Sequence, residues 1–78
     1  MPHDFTHDRK RVGELLRRVR EERGLRQVDV AEKLGQPQSY VSRIESAEQR
    51  ADLPELRAVC AALGINLADF VRRFEERS

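Results

Sequence analysis

A chain of 78 residues has room for one small domain, which buries only about 60% of the surface its unfolded form exposes. With 38% hydrophobic and 37% charged residues and a formal net charge of +1, the composition excludes a disordered or membrane-embedded chain and gives little electrostatic bias toward any partner. No apolar run approaches the roughly 20 residues of a transmembrane span, the N-terminus lacks a signal-peptide core, and Cys60 has no second cysteine to pair with, so a cytoplasmic protein without disulfides is expected.

Residues 1–11 carry Phe5 as their one large apolar anchor and read as a flexible tail before a domain over 12–78. Within that tail His3 and His7 stand four apart beside Asp4 and Asp8, a spacing that weakly imitates a metal pair, but no metal site is expected there. Val12, Leu15, Leu16 and Val19 fall at i, i+3, i+4 and i+7 and define a first helix that ends at Gly24. A second helix runs from Gln27 to Leu34, turns Val30, Ala31 and Leu34 inward, and stops at Gly35. Pro37 opens a third, over about 37–46, because the first helical position needs no N–H. Its apolar contacts are Val41 and Ile44, while Gln38, Ser39, Ser42 and Arg43 occupy its other faces without any ion-pair pattern.

Asp52 and Glu55 form a capping box for a fourth helix, whose stripe is Leu56, Val59, Cys60 and Leu63 and whose end is Gly64. Asn66 caps a fifth, with Asp69 in its first turn, Arg72, Arg73 and Arg77 toward its end, and Leu67, Phe70, Val71 and Phe74 as its stripe. No alternating β-branched run suggests a strand, so the expected class is all-α. The basic side chains concentrate early: residues 1–26 hold eight Lys or Arg against five acids, and residues 27–50 three against four. That bias suits a first helix lying near phosphates as well as it suits a solvated face.

Two short helices joined at Gly35, the second polar on its outer face, make a helix-turn-helix pattern in which the second helix has the width of a major groove. Arg20, Gly24, Leu25, Gln27, Ala31, Gly35, Ser42, Ile44 and Glu45 stand in one register, and through them residues from about Val12 to Phe70 resemble the Cro/CI-type (XRE-type) helix-turn-helix regulators. The resemblance implies a five-helix phage-repressor-like domain, double-stranded DNA as partner, no cofactor and no enzymatic activity. It implies a phosphate contact for Gln27, groove-facing positions for Gln38, Ser39 and Arg43 with Tyr40 and Ser42 flanking them, and a bridge from Arg20 to Glu45. Arg50, in the loop that follows, would add a backbone contact. The chain departs from the family where Ala47 replaces its usual glycine, Ala51 its usual proline, and Pro37 its usual Ser or Thr.

The large apolar groups of the last helix suggest a two-fold homodimer through Val71 and Phe74, which would set two recognition helices on a palindromic site. The competing reading is a protein-interaction module, such as an antitoxin or phage accessory factor, that uses the same apolar helix for a different protein. Cys60 lies on an apolar stripe and reads as a small hydrophobe.

Overall fold

Five helices follow one another in the computed structural model, which describes residues 3–76: α1 (Thr6–Glu22), α2 (Gln27–Leu34), α3 (Gln38–Glu45), α4 (Leu53–Leu63) and α5 (Leu67–Glu76). Arg77 lies outside the described residues. No strand occurs among those described, and no helix is long and apolar enough to cross a membrane.

The apolar stripes converge as their periodicity requires. Leu15, Leu16 and Val19 of α1, Val30 and Ala31 of α2, Val41 and Ile44 of α3, Val59, Cys60, Ala62 and Leu63 of α4 and Phe70 of α5 form one buried cluster. Ile65, in the short turn between α4 and α5, joins it although it belongs to no stripe. Phe70, Leu16, Val19, Val30 and Cys60 are the largest side chains fully withdrawn from solvent. Burial pushes the Cys60 thiol up to about 11, which leaves it protonated and inert at neutral pH.

Capping fixes the helix ends. Asp52 accepts from the Glu55 N–H at 2.9 Å and Glu55 from the Asp52 N–H at 3.1 Å, closing the box that starts α4. Asn66 accepts from the Asp69 N–H at 2.8 Å at the start of α5. Pro37 takes the N-cap of α3 with an extended backbone (ψ 157°), so the helix itself begins at Gln38, one residue later than expected.

The larger difference is at the N-terminus, where α1 begins at Thr6, six residues before Val12. Asp4 accepts from the Thr6 N–H at 2.9 Å, Asp8 sits in the first turn, and the Phe5 carbonyl accepts from the Arg9 N–H. These turns project past the core, so they carry none of the apolar spacing that marks the rest of the helix.

Gly13 lets α1 cross α3 at close range. A Cβ at this position would collide with the backbone carbonyls of Glu45 and Ile44. At the other side of the bundle α5 is held on α1 by polar contacts. Arg73 donates twice to Glu22, at 2.8 and 2.9 Å, and Arg11 donates to the Phe74 carbonyl at 2.8 Å while its guanidinium lies 4.2 Å from the Phe74 ring centre.

Candidate nucleic-acid interface

The turn between α2 and α3 decides what α3 can present. Gly35 closes α2 in the left-handed conformation (φ 65°), and Gln36 and Pro37 carry the chain into α3. Val41 and Ile44 sink into the core and fix the rotation of α3 about its axis, which leaves Gln38, Ser39 and Arg43 exposed together on its far side. Ser42 is half-buried beside them. Arg43 and Arg50 are both exposed, and neither side chain forms an ion pair among the described residues.

Behind this face stands a buried ion pair. Arg20 Nε donates to Glu45 Oε2 at 2.7 Å and Nη2 to Oε1 at 3.1 Å, with the two side chains only 11% and 7% exposed. The remaining guanidinium nitrogen, Nη1, donates to the Leu25 carbonyl at 2.8 Å. One arginine thus ties α1 to the α1–α2 loop and to the end of α3, and its hydrogen bonds to Glu45 hold the Arg20 guanidinium above the ordinary arginine value. Such a pair adds little net stability, because both charges have left water, but it restrains the angle of α3.

The network extends outward from the pair. Glu45 Oε1 also accepts from Gln27 Nε2 at 3.0 Å, and Gln27 Oε1 accepts from Gln38 Nε2 at 3.2 Å. Gln27 stands at the first position of α2, so its amide lies where backbone N–H groups are unpaired and positive potential collects. The capping interactions there belong to Arg26 and Asp29: Asp29 accepts from the Arg26 N–H at 2.7 Å and from its guanidinium at 2.9 Å.

Tyr40, expected to flank the groove-facing positions, is half-buried and turns its hydroxyl to another helix. It packs on the edge of the core, and its hydroxyl donates to Glu55 Oε2 at 2.8 Å across to α4. Burial and the adjacent carboxylate push the phenol up to about 12. This hydrogen bond ties α3 to α4. The α3–α4 loop holds the one non-glycine residue with positive φ among those described, Ala47 at 66°, at the position where the sequence lacks its expected glycine.

On the last helix Val71 is 43% exposed, whereas Phe74 is half-buried under Arg11. No group of three or more metal-ligating side chains occurs among the described residues. The tight Gly13 crossing, the Tyr40–Glu55 brace and the Arg73–Glu22 clamp are not signalled by any local pattern, since each joins residues distant in sequence.

Comparison with known proteins agrees with this geometry. A helix-turn-helix family model matches residues 16–70. The immunity repressor protein of Bacillus phage phi105 is 40% identical over 60 residues, which make up 77% of this chain and 42% of that protein, so the chain spans about two fifths of its relative. Among solved structures, an XRE-family like protein from Pseudomonas syringae superposes with a TM-score of 0.82 at 32% identity, covering 92% of this chain and 89% of the other. The clp gene regulator ClgR from C. glutamicum gives 0.81 at 28%, covering 88% and 90%. The restriction-modification controller protein C.Esp1396I, solved as a tetramer on its natural 35 base-pair operator, gives 0.83 at 22% identity over 95% of both chains, a likeness of fold. The matched model spans the paired helices α2 and α3 together with most of the core that orients them, and the chain belongs to the Cro/CI-type (XRE-type) helix-turn-helix regulator family.

Proposed function

We propose that the protein is a sequence-specific transcriptional regulator that lays α3 in the major groove of double-stranded DNA. The observation that carries this reading is the joint exposure of Gln38, Ser39 and Arg43 on a helix whose opposite face is locked into the core by Val41 and Ile44. Exposed side chains on a rigid helix are free to meet base edges, and these types suit the task. Arg43 has no ion-pair partner among the described residues, and Gln38, which gives one N–H to Gln27, keeps its other N–H and its oxygen. A glutamine pairs bidentately with adenine, an arginine with guanine, and a serine with either or with phosphate. Gln27, at the amino end of α2, faces a phosphate, and Arg50 reaches the backbone from the α3–α4 loop. Ser42 supports this surface from its edge, and Tyr40 serves it only by bracing α3. The names of the phi105 repressor and of ClgR support the regulatory class.

The site is used twice in a two-fold dimer built on α5, with Val71 and the free edge of Phe74 meeting their copies. That arrangement spaces two recognition helices roughly 34 Å apart, one turn of DNA, and selects a palindrome. Selection of binding sites from random duplex DNA, followed by affinity measurements against salt and sedimentation of the free protein, tests both statements. A palindrome with half-sites about ten base pairs apart and log affinity falling linearly with log salt is expected. Failure to enrich any sequence above non-specific binding overturns the DNA reading. A monomer both free and on DNA overturns the dimer.

A further inference from the structure

The hydrogen bonds that run from the ion pair to the exposed face have a direction, and that direction has a consequence for base recognition. Glu45 is an ionised carboxylate with both oxygens engaged by Arg20, so toward Gln27 it can only accept. Gln27 therefore turns its Nε2 to Glu45 Oε1, at 3.0 Å, and its Oε1 away from it. An oxygen facing Gln38 can only accept, so Gln38 gives it one N–H, at 3.2 Å. Each amide is thereby fixed in one of its two orientations. What Gln38 has left for a ligand is one N–H and one carbonyl oxygen.

We infer that Glu45 is a specificity-determining residue: acting through Gln27, it fixes the Gln38 amide in the orientation that reads adenine and rejects guanine. Adenine presents one acceptor and one donor in the major groove, N7 and the N6 amino group, which match the remaining N–H and oxygen of Gln38. Guanine presents two acceptors, N7 and O6. To meet both, Gln38 would have to turn its oxygen inward and offer two N–H groups, and Gln27 would then have to point its own oxygen at the Glu45 carboxylate. That reversal, like a flip of Gln38 alone against Gln27 Oε1, sets two acceptors facing each other and is disfavoured. The buried pair, which contacts no base, thus sets which base the outermost glutamine accepts. Arg43 stands outside the chain of bonds, and its preference is independent of it.

This inference rests on the proposed DNA reading, and the test separates the two. Affinity of the full chain is measured for the selected site and for variants carrying guanine in place of adenine at the Gln38 position, and separately for changes at the Arg43 position. The wild-type protein is expected to prefer adenine by about tenfold. In Glu45→Gln the neutral amide can donate as well as accept, both directions become open, and the preference falls to about twofold while the Arg43 position keeps its own. Because Glu45→Gln also weakens a buried pair, Gln27→Met supplies the same break with Arg20 and Glu45 intact. It is expected to lose the same discrimination, with no further loss in the double variant. Equal loss at every position would mark Glu45 as a purely structural residue, and retained adenine preference in Gln27→Met would show that no relay exists; either result overturns the inference. A wild-type protein with no base preference anywhere overturns the DNA reading itself.

Discussion

Ala47 is the residue whose local geometry and side chain are most at odds. Its φ of 66° places a Cβ where the left-handed conformation crowds it, at a cost of about 1–2 kcal/mol for an L-residue. Ala47→Gly is therefore expected to stabilise the protein by about 1 kcal/mol, raising the Tm by roughly 4–8 °C for a domain of this size, in a thermal melt followed by circular dichroism. An unchanged or lower Tm would mean that the loop relieves the strain in some other way. Tyr40 offers a second measurement at this scale, because it is the one tyrosine in a chain without tryptophan and the phenolate absorbance reports it alone. Its folded-state value of about 12 lies above the ordinary 10.0, so the unfolded chain gives up the proton first. The stability tied to this group is then complete below pH 10 and drains away as pH rises toward 12. Alkaline titration is expected to show a midpoint near 12 in the native protein and near 10 in denaturant, and Tyr40→Phe should remove that part of the alkaline loss. A native midpoint at the ordinary value would break the link to Glu55.

Among the elements, the crossing of α1 and α3 is the least tolerant. Gly13→Ala would gain helix propensity of about 1 kcal/mol in isolation. The added methyl group, however, meets backbone carbonyls of α3 rather than a movable side chain. A net loss of about 1–3 kcal/mol in urea denaturation is expected, and a stabilised variant would show that α1 and α3 can part without cost. This position also shows how far the sequence could be read. The stripe Val12–Leu15–Leu16–Val19, the glycine after α2 and the Asp52–Glu55 box are local patterns, and the helices they mark are present. The first turns of α1 carry no buried apolar side chain, Ile65 lies in a turn, and the Tyr40–Glu55 and Glu22–Arg73 contacts join elements that only the tertiary fold brings together, so periodicity holds no trace of them. Arg20 and Glu45 lie twenty-five residues apart, and family resemblance, not spacing, is what pairs them in the sequence.

For the whole molecule, a net charge of +1 means that attraction to DNA must come from where the charges sit and not from their sum. In the proposed function Arg43 and Arg50 divide that work differently. Arg43→Ala is expected to cost about 1–3 kcal/mol of discrimination at one base position per half-site, whereas Arg50→Ala should weaken all sequences alike and lower the salt slope by about one per subunit. Fluorescence anisotropy across a salt series distinguishes them, and exchanged phenotypes would reverse the two roles.

The proposed recognition helix, α3, is only eight residues long, short of the roughly 12–15 that an isolated helix needs to persist in water. Its shape is on loan from Val41, Ile44 and the ion pair behind it. A peptide carrying residues 37–46 alone would be a coil with no preferred base. On the proposed function the binding surface and the native state are therefore the same thermodynamic species, and operator DNA would act as a ligand of folding. Any substitution that lowers stability, however far from the groove, reduces the active fraction, and saturating operator restores it by about 2.7 kcal/mol at a hundredfold excess over Kd.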